Sequence, residues 1–130
     1  MNDYIDPDME RLIREQEENK SGLNVTGLEK GTKLTVETNN SIYRMVVVDG
    51  REITIMGGMK RDGEIRFPKP IPAMFIGSTW GGSIMKIDWI GQDMNMEIAI
   101  GQEVLYTSRV KNVEIESPDN KWSYSMDWNK

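Results

Sequence analysis

A chain of 130 residues without cysteine or histidine is long enough to bury its own core, yet it has no disulfide, no thiolate nucleophile and no imidazole base. Zinc chemistry and Ser-His-Asp or Cys-His hydrolysis are therefore excluded within it. Of the net charge of -5, residues 1–22 hold seven acids against three bases and the rest fourteen against thirteen, so the nearly neutral body gives no nucleic-acid backbone a footprint.

The start Met1-Asn2-Asp3-Tyr4 is neither basic nor apolar enough for a signal peptide, and no run approaches the roughly 18 apolar residues of a membrane span. A cytoplasmic setting without membrane attachment is the expectation. Asp6-Pro7 combines an N-cap with proline at the first helical position, and Asp8 and Glu10 follow where the helix dipole favours acids. This predicts a helix over residues 7–19. Ile5, Met9, Leu12 and Ile13 give it one narrow apolar stripe, and Ser21-Gly22 ends it. So short a helix needs a surface to lie on, either this chain's own sheet or another subunit.

From Lys33 to Glu116 the period is two. Leu34 and Val36, Ile53 and Ile55, Met85, Ile87 and Trp89, then Met94, Met96, Ile98 and Ile100 alternate with polar residues, as half-buried strands do. Asn39-Asn40-Ser41, Asp49-Gly50, Asp62-Gly63, Gly81-Gly82, Gly91-Gln92-Asp93 and Gly101-Gln102 mark the turns. Asp49-Gly50 predicts a two-residue type I′ hairpin. Pro68, Pro70 and Pro72 suit a crossover or sheet edge and not a central strand. The fold expected is all-β, a small antiparallel barrel or two-sheet sandwich of about eight or nine short strands. Ten methionines either fill gaps in its core or make an adaptable binding surface.

Ser117-Pro118-Asp119-Asn120 reads as a turn. After it Trp122, Tyr124, Met126 and Trp128 alternate with Ser123, Ser125 and Asp127, a strand with one aromatic face. That strand either completes the sheet by pairing with residues 110–116 or offers its edge to another chain. The organisation is an acidic helix in residues 1–22, a β core in 23–117 and an aromatic strand or tail in 118–130.

The best site candidate is Gly77-Ser78-Thr79-Trp80-Gly81-Gly82-Ser83, where glycines permit close backbone approach and hydroxyls add donors. Four readings are open. It can cradle phosphate with Lys86 supplying charge, stack a neutral ligand on Trp80, host a serine nucleophile, or simply turn the chain at Gly81-Gly82. It lacks Gly-x-x-x-x-Gly-Lys-Ser/Thr and Gly-x-Ser-x-Gly, and Asp-x-Asp-x-Asp-Gly occurs nowhere, so no cofactor or metal is implied. Thr107, Ser108 and Arg109 close another strand, and Thr38-Asn39-Asn40-Ser41 sits in the first hairpin turn. On a shared rim with Ser78, Thr79 and Ser83 they would form a polar mouth, with Arg109 and then Lys86 gripping an anion.

Residues 77–83, followed some two dozen residues later by Thr107-Ser108-Arg109-Val110, resemble small uncharacterised all-β proteins of bacteria and phages over residues 23–116. The resemblance implies that residues 77–83 are a family feature and carries no catalytic residue across. The function expected is a non-enzymatic interaction or assembly module, its contacts being Ile5, Met9, Leu12 and Ile13 or the tail's Trp122, Tyr124 and Trp128, with a homo-oligomer or another protein as partner. The alternative is a binder of a nucleotide or other phosphate-bearing metabolite. A carboxylate enzyme using Asp88, Asp93 or Glu97 has only their presence in its favour.

Overall fold

Alternation selects the inner face of each strand. In β2 (Lys33–Thr38) Leu34 and Val36 are buried between outward Lys33, Thr35 and Glu37. The same pattern buries Tyr43, Met45 and Val47 in β3 (Ile42–Asp49) and Ile53 and Ile55 in β4 (Glu52–Met59). The computed structural model describes residues 22–80 and 84–127. The expected helix over 7–19 with Ile5, Met9, Leu12 and Ile13, the segment Gly81-Gly82-Ser83, and Trp128 lie outside the described residues.

Every pairing is antiparallel. β3 pairs with β2 and β4, and β4 pairs with β5 (Ile65–Thr79). β8 (Asn95–Ile100) bridges β5 and β9 (Glu103–Glu116), and β9 returns to β2. β6 (Lys86–Ile87) pairs with the end of β5, while β1 (Gly22–Asn24) and β7 (Trp89–Gly91) form a separate two-stranded sheet. The tail strand β10 (Ser123–Asp127) pairs in cis with residues 112–116 of β9 and buries Met126, with Trp122 and Tyr124 packed against the core. The one helical element among the described residues is the 3-10 turn Val25–Gly27, where the Asn24 side chain accepts from the Thr26 N–H at 3.0 Å.

The all-β, antiparallel expectation holds, but the sheet is not a closed barrel of short strands. β5 and β9 are long and change partners part-way. Residues 65–74 of β5 pair with β4 and 74–79 with β8, while residues 103–109 of β9 pair with β8 and 110–116 with β2. The first halves of β5 and β9 therefore each have a strand on one edge only among the described residues. Residues 68, 70 and 72 fall in that stretch of β5, where a proline's missing N–H breaks no ladder.

Two local expectations are corrected. Asp49 lies in β3 opposite Glu52, so the hairpin turn is Gly50-Arg51 with positive φ at Gly50 alone, the type II′ pattern and not type I′. The expected strand through Met85, Ile87 and Trp89 is broken at Asp88, whose φ of 63° is left-handed. Ile87 is consequently exposed and Trp89 buried, although alternation assigns them one face.

Phe75 lies at the heart of the core with Met96 and Ile98 of β8 and Val110, Val113 and Ile115 of β9. Burial of each such side chain contributes about 1.5–3 kcal/mol. The small sheet adds Leu23 and Ile90, and the 3-10 turn adds Val25, to the same core. Of the methionines, Met45, Met94, Met96 and Met126 are buried, filling the interior as expected, whereas Met59 and Met74 are exposed.

Candidate functional site

The partner change in β9 brings three segments, remote in sequence, to one end of the molecule. Thr79 of β5 stands opposite Asn95 of β8, and Asn95 opposite Arg109 of β9. Beyond them the β2–β3 turn closes on β9, with the Asn39 N–H donating to the Arg109 carbonyl at 3.0 Å. Thus residues 38–41, 78–80 and 107–109 do share one end of the fold.

Their hydroxyls, however, hold the framework. Ser78 is fully buried and donates to the Trp89 carbonyl at 2.6 Å, tying β5 to β7. A register shift between Asn95 and Glu97 removes Met96 from the β9 ladder, and the Met96 N–H donates to the buried Thr107 hydroxyl at 2.9 Å. That hydroxyl in turn donates to the Ser108 carbonyl at 2.8 Å. Ser108 donates to the Thr38 hydroxyl at 2.8 Å and accepts from the Asn40 N–H at 3.2 Å, fastening the first turn to β9. Thr79 is buried as well, whereas the Arg109 side chain faces solvent. Buried polar groups need such partners, and here they find them within the sheet.

Lys86 is also engaged, its ammonium 3.7 Å from the centre of the Trp89 ring. Trp80 is 70% exposed at the end of β5. Between β6 and β7, Asp88 takes a two-pronged contact from Arg51 at 2.6 and 3.3 Å. Hydrogen bonding to Asp88, and then its charge, raises the Arg51 pKa above its ordinary value. The Val25 N–H donates to the Asp88 carbonyl and the Asp88 N–H to the Ile76 carbonyl, so this corner joins the small sheet to the large one.

On the other side of the β2–β3 turn is an open cleft of about 410 Å³, lined by residues 37–42, Arg44, 57–59 and Ile65. Gly57 and Gly58 shape it. Both have positive φ, and a Cβ would drive Gly57 into the Ile42 carbonyl oxygen and Gly58 into the Tyr43 ring. Sequence reasoning marked the turn of the hairpin they begin, at Asp62-Gly63, but passed over this pair. That hairpin carries Lys60, Arg61, Arg66 and Lys69 beside Asp62 and Glu64, a local basic excess within the nearly neutral body. The signal was available as four cations within ten residues.

No family model, curated protein or solved structure matches the chain, so the site is read from its own geometry. Among the described residues no three His, Cys, Asp or Glu side chains are grouped to hold a metal ion, and no helix is long and apolar enough to cross a membrane.

Proposed function

We propose that this domain is a binding module that assembles with another protein and performs no chemistry of its own. One contrast carries the reading: the hydroxyls of Ser78, Thr107 and Ser108 are engaged in the framework, while Ile42, Met59, Ile65, Met74, Val104 and Tyr106 stand exposed. Large apolar side chains grouped on a surface serve contact with another surface. The leader with Ile5, Met9, Leu12 and Ile13 supplies one such contact. Since Trp122 and Tyr124 are half-buried in cis, the tail offers the outer edge of β10.

In the full chain, Leu12→Asp with Ile13→Asp should lower the sedimenting mass or abolish capture of a defined partner at unchanged melting temperature. Unchanged mass and capture would remove the leader from the reading.

The row Thr79, Asn95 and Arg109 favours a second reading, contact with a phosphate-bearing metabolite through Arg109. It predicts a saturable rise in melting temperature with a nucleotide or inorganic phosphate, lost in Arg109→Ala. A flat response to both ligands counts against it.

A further inference from the structure

We infer that two surfaces beside one groove pair this chain with a second copy of itself. The inference rests on the binding reading above and names its partner. The first surface is the β4–β5 hairpin beyond Gly57. Met59 and Ile65 stand opposite each other, hence on one face, and are 55% and 60% exposed. Residues 57–70 around them hold four cations, Lys60, Arg61, Arg66 and Lys69, against Asp62 and Glu64. None of the four cations has an ion pair among the described residues.

The second surface is the outer face of β5, β8 and β9. Register aligns Met74, Ala99 and Val104 in one row and Gly77, Glu97 and Tyr106 in the next, opposite in direction to the buried Phe75, Met96 and Ile98. Met74, Val104 and Tyr106 are each about half exposed. The rim is acidic, with Glu52 beside Met74, Glu97 beside Tyr106, and Glu103 next to Val104. Residues 97–106 contain no cation.

A groove of about 210 Å³ runs between the hairpin and the patch, with Arg66 and Phe67 on one wall and Ile100 and residues 103–106 on the other, while Met59 and Ile65 line the 410 Å³ cleft. A twofold axis through the groove sets each basic hairpin on the other copy's acidic-rimmed patch, satisfying both contacts at once. On the β5 side of the groove the prolines disfavour the obvious rival, an added peptide strand. Pro68, Pro70 and Pro72 strip N–H donors from the half of β5 whose second edge is open, so the contact is made by side chains. A nucleic-acid backbone laid on the hairpin would meet Glu103 across the same groove, with Glu52 and Glu97 on the patch beyond, and be repelled.

Sedimentation velocity of the full chain over roughly 1–200 μM should show a reversible monomer–dimer equilibrium that weakens as salt is raised. Arg66→Glu with Lys69→Glu should weaken it about tenfold or more, and so should Glu97→Lys with Glu103→Lys, because like charges then face each other. Melting temperatures, as controls, should stay near wild type. Mixing the two double variants should restore dimer, since each supplies the charge the other lacks. A wild-type chain monomeric throughout, or a mixture that stays monomeric, overturns the inference. Binding of labelled duplex DNA or RNA that Arg66→Glu with Lys69→Glu abolishes, without dimerisation, also overturns it and gives the hairpin to nucleic acid. If self-pairing fails while a defined partner still depends on Leu12 and Ile13, the binding reading survives without it.

Discussion

Thr107→Val is the most informative single substitution in this fold, because valine keeps the shape and removes the oxygen on which a bulge depends. The Thr107 hydroxyl accepts from the Met96 N–H at 2.9 Å and donates to the Ser108 carbonyl at 2.8 Å, in a side chain that is 3% exposed. Valine leaves the Met96 N–H unpaired beside a buried side chain, and the Ser108 carbonyl loses a donor. An orphaned buried polar group costs about 1–3 kcal/mol and a lost neutral hydrogen bond about 1 kcal/mol, so the expected loss is about 2–4 kcal/mol. For roughly a hundred ordered residues this corresponds to a melting temperature about 8–20 °C lower. Urea unfolding gives the free energy, and hydrogen exchange at Met96 locates it, since that amide should lose protection beyond the global change. A shift of under about 2 °C, with Met96 protection unchanged, would refute the framework role of Thr107 and return its hydroxyl to the ligand candidates.

Gly57→Ala should be more damaging than its exposure suggests. With a φ of 98° and the Ile42 carbonyl in the way, alanine is expected to cost about 2–4 kcal/mol in urea unfolding, and near-wild-type stability would show that the two strands can separate there freely. Asp119 gives a pH test. It accepts from the Ser117 hydroxyl at 2.9 Å and the Lys121 N–H at 3.2 Å, and the Ser117 hydrogen bond, as the largest influence, holds its carboxyl below the ordinary value. A depressed folded pKa means that the contribution is complete above the unfolded value of about 3.9 and fades as pH falls through the folded one. Hydrogen exchange at Lys121 should therefore accelerate specifically at acid pH in wild type and show little of this dependence in Asp119→Asn. Equal pH dependence in the two would remove Asp119 from the turn's stability.

Strand content and turn positions were legible because both are local. Leu34 and Val36, or Met96 and Ile98, announce a buried face within their own strands, and glycine at residues 50, 63 and 101 supplies the positive φ that tight turns need. Asp88 was misread for the opposite reason. Its left-handed backbone is held by Arg51 and by two backbone hydrogen bonds from elsewhere in the chain, and no neighbour in sequence signals them.

By itself the sequence determined an all-β core without thiol or imidazole chemistry, an aromatic final strand and a proline stretch kept out of any central strand. Which hydroxyls were free to meet a ligand was a tertiary matter. Ser78, Thr107 and Ser108 look alike in sequence to any exposed turn hydroxyl, and only the partner change of β5 and β9 across β8 brings them against the groups that use them. The same change set a basic hairpin and an acidic-rimmed apolar face on either side of one groove. Long-range pairing decides which residues become neighbours, and neighbours decide whether a polar or apolar side chain builds the fold or faces a partner.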